Sequence, residues 1–127
     1  MNEYKPFESE IIDGDILAIV LHGDLDSTST PDFNRQIQAH LDAGLSKIII
    51  DCRHMGFISS LGIGSLVALQ TKLRRKGGEV KLAAIFGPVM EVMRLVRLDL
   101  MLDMYGDLEF ARKSFYPKGQ APEAKAT

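Results

Sequence analysis

The chain has 127 residues and a formal net charge of −2, so it fits one domain with an ordinary core and lacks the basic surplus of a nucleic-acid-binding surface. Its single cysteine, Cys52, excludes an internal disulfide framework and suits a reducing cytosol, so a cytoplasmic protein is expected. The polar start, Met1–Glu10, lacks the apolar run of a signal peptide, and Ile16–Leu21 is too short to span a bilayer; work at a membrane would go through a partner and not by direct insertion.

Phe7–Ile12 is a weak strand candidate ending at the turn signal Asp13-Gly14. The continuous apolar run Ile16–Leu21 reads as a strand buried on both faces, joined to the first by a hairpin. A polar loop runs from His22 to Ser29. Thr30-Pro31-Asp32 then has the form of a helix start, with Thr30 as cap, proline in the first turn and an acid at the positive end of the dipole. Phe33, Ile37 and Leu41 make one stripe on that helix, and Gly44 is a plausible stop.

Lys47–Asp51 is a second buried strand. After a loop with His54 and Gly56, a helix is predicted from about Ser60 to Arg75, with Gly62, Ile63, Leu66, Leu69 and Leu73 on its inner side. Lys76-Gly77-Gly78 ends it. Val80–Ile85 is a third buried strand, and Pro88 opens a helix whose Val89, Val92, Met93 and Val96 face inward. Leu100–Met104 is a last short strand candidate, and Asp107 caps a final helix carrying Leu108, Ala111 and Phe115. The expectation is an α/β fold: a single domain over residues 1–116 with a mainly parallel four- to five-stranded sheet, an antiparallel N-terminal edge strand and about four helices. Residues 117–127 read as a loose polar tail.

Catalytic and ligand motifs are scarce. No Cys-x-x-Cys, His-Glu-x-x-His or Gly-x-Ser-x-Gly occurs, and the three histidines, His22, His40 and His54, form no metal-site spacing, so no metal is expected. Gly62-Ile63-Gly64 lacks the third glycine of a dinucleotide fingerprint, where Val67 stands, and no Gly-Lys-Ser/Thr follows, so no cofactor is expected either. Cys52, just after a buried strand, reads as a packed small hydrophobe. Asp24 and Asp26 make either a solvated turn or a carboxylate pair for hydrolysis, the latter without a water-activating partner.

Phe57-Ile58-Ser59-Ser60-Leu61-Gly62-Ile63-Gly64 carries more information. It leads from the carboxyl end of a buried strand into a helix, where sites collect in parallel sheets. One of the two serines can cap the helix, and a serine hydroxyl there can also take a phosphate, which the helix dipole tolerates. Leu61, Gly64 and Ala68 fall off the core stripe and would make a small apolar contact strip beside Ser60.

Two motifs bring a family resemblance. Gly23-Asp24-Leu25-Asp26 is similar to the Gly-x-Leu-Asp loop, and Asp51 through Gly64 to the strand and Ser-x-Gly helix start, of STAS domains of the anti-sigma factor antagonist type. The resemblance spans about residues 7 to 115. It implies a non-enzymatic, partner-switching phosphoprotein of bacterial transcription control. Such a protein binds an anti-sigma serine kinase of the GHKL type, is released when phosphorylated, and is reset by a serine phosphatase. It also implies that Ser60 is the phosphoacceptor, with neighbouring Ser59 as the alternative, and that Asp26 lies close to the acceptor. Asp24, Asp26, Ser59, Leu61, Gly62, Gly64 and Ala68 would form the partner face, and a homodimer is a further option. Ser59 stands where many antagonists have aspartate, and Leu61 where a small residue is common. Three other readings stay open: a STAS subunit bound to a transporter ATPase, a signalling scaffold, and an enzyme using Asp24 or Asp26 as a base.

Overall fold

The computed structural model describes residues 7–123, so the outer parts of the polar start and of the tail lie outside it. β1 (Phe7–Ile12) and β2 (Ile16–Leu21) form the expected antiparallel hairpin, with Phe7 opposite Leu21. Its three-residue turn, Asp13 to Asp15, holds both Asp13 (φ 53°) and Gly14 (φ 83°) in the left-handed region. Asp-Gly tolerates that geometry better than any pair with a branched side chain, which is why this dipeptide closes tight hairpins.

The chain continues through α1 (Thr30–Asp42), β3 (Lys47–Asp51), α2 (Ser60–Arg75), β4 (Glu79–Ala83), α3 (Gly87–Leu95), β5 (Met104–Tyr105) and α4 (Leu108–Lys113). The five strands lie in the order β1-β2-β3-β4-β5, parallel from β2 onward. Each strand thus pairs with the next, and crossovers of one hand put α1, α2 and α3 on the same face. Leu17, Ile19 and Leu21 of β2, Ile48 and Ile50 of β3, and Val80 and Leu82 of β4 meet the apolar stripes of those helices in the main core. The alternate residues Ile16, Ile49 and Ala83 face the other way, where Ala111 of α4 covers them. Both faces of the central strands are covered, and that accounts for their unbroken apolar runs.

Several expected details shift. Thr30 is buried inside the first turn of α1 and does not cap it; Ser29 occupies the cap position. α3 ends at Leu95, leaving Val96 49% exposed, not inward. The predicted strand over Leu100–Met104 is largely a turn: a short 3₁₀ segment covers Leu98–Leu100, and only Met104 and Tyr105 pair with β4. Leu98 and Leu102 are both buried while Leu100 between them is 73% exposed, a pattern that a curled segment satisfies and an alternating strand, which would put all three on one face, does not.

α4 is fastened to the hairpin at the other end of the sequence. Arg112, nearly fully buried, donates to Asp13 at 2.8 Å and makes a two-pronged contact with Glu109 at 2.8 and 2.7 Å. Tyr116 also donates its hydroxyl to Asp13, at 2.8 Å.

Candidate functional site

Two loops meet at the carboxyl ends of the neighbouring strands β2 and β3. Leu25, in the loop before α1, pairs with Ile58, in the loop before α2, and both are buried. The Ser59 amide donates to the Leu25 carbonyl at 2.8 Å. Asp24 ties the loops from above: one carboxylate oxygen accepts the amides of Gly56 (2.8 Å) and Phe57 (3.0 Å). The short polar side chain reaches across because parallel neighbours end level with each other.

Asp26 works within its own loop. Its carboxylate accepts the Ser29 amide at 2.8 Å and the Thr28 amide at 2.9 Å, which shapes the turn leading into α1, a helix with no side-chain cap. The Ser29 amide first, then that of Thr28, holds the Asp26 carboxyl below the usual carboxylate range against a smaller opposing effect of desolvation. A carboxylate held that way is a poor proton acceptor near neutral pH. Asp26 thus takes part in building the site.

The two serines have different fates. Ser59 is the N-cap of α2, with an extended backbone, and its hydroxyl oxygen accepts the Gly62 amide at 3.1 Å. Ser60 is the first helical residue and is exposed. Leu61 beside it is 49% exposed, and Gly64 and Ala68 continue the exposed line one and two turns further on. Gly62 is buried on the inner side of α2, as its helical spacing predicts, and so lies off the partner face that the family resemblance implies; a Cβ there would lie 2.9 Å from the Leu25 carbonyl oxygen. Its lack of a side chain lets α2 close onto the Leu25 loop.

Three features escaped the sequence reading. Phe57 and Phe86, 54% and 62% exposed, sit on loops leaving β3 and β4 at this same end of the sheet. His22 and His54 stack with ring centroids 5.5 Å apart, and His22 lies 3.4 Å from Glu8. Asn34 and Gln38 of α1 stand across from Ser65 and Lys72 of α2, bonded at 3.0 and 2.8 Å, and between the two helices runs an open groove of about 440 Å³. The spacing of Asn34, Gln38 and Asp42 beside the Phe33 stripe marks a polar helix face in the sequence, but not what it faces.

Cys52 is buried, and burial first, then the Asp51 charge, pushes its thiol upward, away from thiolate reactivity. Among the described residues no group of three or more His, Cys, Asp or Glu is placed to hold a metal ion, and no helix is long and apolar enough to cross a membrane.

Solved structures share this architecture. An anti-sigma factor antagonist from Mycobacterium paratuberculosis superposes with a TM-score of 0.76 at 24% identity, over 85% of this chain and 91% of that one. SpoIIAA, a Bacillus cell-fate determinant, matches in its unphosphorylated form at 0.76 and 21% identity, over 86% and 95%. A part of the murine anion transporter Slc26a9 matches at 0.66 and 17% identity, over 80% of this chain but 17% of the transporter. At these identities the likeness establishes the fold. Residues 7–111 match the model of the STAS domain, and the chain belongs to that family.

Proposed function

We propose that this protein is an anti-sigma factor antagonist that works by partner switching in the cytoplasm. Unphosphorylated, it binds an anti-sigma serine kinase of the GHKL type; phosphorylated on Ser60, it lets go, and a serine phosphatase restores it. The observation that carries this reading is the division of labour between the two serines. Ser59 spends its hydroxyl on the Gly62 amide, and Ser60 presents its own to solvent at the start of α2 beside exposed Leu61. A phosphate there adds roughly two negative charges at the positive end of a helix dipole, so the fold tolerates it. The same charges beside Leu61 repel a partner that had packed against an apolar, neutral surface. Asp24 holds the two loops together under that surface, and Asp26 shapes its own loop. This role needs no active-site chemistry in the chain itself, so the protein acts as a binding switch and not an enzyme.

The test uses full-length wild type, Ser60→Ala and Ser60→Asp as baits in the protein's own cells, with intact-mass and peptide mass spectrometry. Phosphate is expected on Ser60 of wild type, and an ATPase of the serine-kinase type on wild type and on Ser60→Ala but not on Ser60→Asp. If all three baits hold the same partner equally, the switch is wrong. The fold's occurrence within an anion transporter supports a second reading, a non-switching subunit of a transporter complex. Recovery of a transporter ATPase on all three baits, with Ser60 unmodified, would select it.

A further inference from the structure

The groove between α1 and α2 begins at Ser60 and ends near Lys72. Ile37, Leu41 and Leu69 line its apolar interior, and Leu61, Gly64 and Ala68 form one wall. Twelve residues of helix separate Ser60 from Lys72, about 18 Å at the α-helical rise. Two features of this groove point to something outside the fold. Gly64 lies in a helix although glycine is among the poorest helix formers, and a Cβ at that position would meet nothing within 4 Å. In contrast to Gly62, nothing among the described residues requires it. Lys72 lines the far end, with the Gln38 side chain at 2.8 Å, and among the described residues no carboxylate lies within ion-pair distance of it.

We propose that the groove is the docking site for an amphipathic helix of a partner protein, lying along α2. Its apolar side chains would sit over Gly64 and Ala68, and a carboxylate would meet Lys72. Three points favour that occupant. The groove is open along a length that suits about three helical turns. Absence of a side chain at Gly64 lets a second backbone come close. The Lys72 ammonium, bonded to Gln38 but with no carboxylate in ion-pair distance among the described residues, can meet an acid, and the Asn34–Ser65 pair beside it gives the groove a polar edge for the flank of a helix. The proposal deepens the partner-switch reading and rests on it in one respect: a helix seated here ends over Ser60, where a phosphate would displace it.

The test is in-cell photocrosslinking on the full chain, with benzoyl-phenylalanine placed at Ala68 and, as a control, at Phe110, which is exposed on α4. The crosslinked peptides are identified by mass spectrometry. A helical segment bearing Asp or Glu is expected at position 68 and not at 110. Adding Lys72→Glu should lower the yield about tenfold. Adding Gly64→Ala should lower the yield while raising Tm, a combination that a purely structural role for Gly64 does not produce. No crosslink at position 68, a crosslink to a second copy of this chain, or a yield indifferent to Lys72→Glu would overturn the proposal. Crosslinking at 68 to a protein without a kinase domain would uphold the groove and remove the kinase reading. A kinase recovered on the Ser60 baits with position 68 silent would do the reverse.

Discussion

Ser59 and Ser60 are chemically identical neighbours, and a single helix start separates their roles. The one preceding the helix aims its hydroxyl at a free amide, and the one following cannot do the same because its backbone is already helical. Ser59→Ala should therefore cost about 1 kcal/mol of stability, read by denaturant unfolding, whereas Ser60→Ala should be close to neutral. The glycines two and four residues into this helix divide in a similar way. Gly62→Ala would press a methyl group toward the Leu25 carbonyl at 2.9 Å and the Ile58 side chain at 3.0 Å, and should destabilise by roughly 1–3 kcal/mol. Gly64→Ala adds its methyl to open space and should stabilise by up to about 1 kcal/mol. Equal effects of the two substitutions would mean that the contact of α2 with the Leu25 loop is not as tight as drawn.

At the scale of elements, the β2–α1 and β3–α2 connections behave as one unit. Asp24 bridges them, Leu25 pairs with Ile58, and the Ser59 amide bonds to the Leu25 carbonyl. Asp24→Ala would leave the amides of Gly56 and Phe57 without that acceptor. Its expected result is faster hydrogen exchange at Gly56 and Phe57, and slower phosphorylation of Ser60, with the global Tm little changed. Unchanged exchange at those two amides would show that Asp24 does not hold the loop. Asp26 sets the start of α1. Its folded-state carboxyl is depressed by the Ser29 and Thr28 amides, so its stabilising effect is present above the ordinary carboxylate value and disappears as the pH falls through the lowered one. Asp26→Asn should flatten that acid limb of the stability curve.

At the scale of the whole molecule, the cluster of Arg112, Asp13, Glu109 and Tyr116 joins residues about a hundred positions apart. Removing the guanidinium with Arg112→Ala takes three hydrogen bonds from Asp13 and Glu109, whose carboxylates can still reach water, and should cost roughly 1–3 kcal/mol in thermal or chemical unfolding. Desolvation first, then the bond to Asp13, pushes the Tyr116 hydroxyl up to about 12 from its ordinary 10.0. Because the folded value is the higher one, the stabilising effect is complete below about pH 10 and is lost as pH rises toward 12. Tyr116→Phe should therefore be less stable than wild type at neutral pH and should lose less between pH 10 and 12. An identical alkaline decline in both proteins would count against the clasp.

The sequence by itself determined the α/β alternation, the hairpin and most element positions. Those follow from local causes: unbroken apolar runs at Ile16–Leu21 and Lys47–Asp51, the Asp13-Gly14 turn, the Phe33-Ile37-Leu41 stripe and the Asp107 cap, whose carboxylate accepts the Phe110 amide at 2.8 Å. It also singled out the Ser59-Ser60 pair and the Gly23–Asp26 loop. Tertiary structure alone decided which serine is consumed as a cap, that Asp26 holds the Thr28 and Ser29 amides ahead of α1, and that the inner face of Gly62 closes onto the Leu25 carbonyl. It likewise curled Leu98–Leu102 into a turn where a strand was expected, and set Asn34 and Gln38 across from α2. The contacts of Gly62, Asn34 and Gln38 come from residues distant in sequence, and those of Ser59 and Asp26 depend on which nearby amide each side chain reaches; neither is encoded in the spacing of apolar residues.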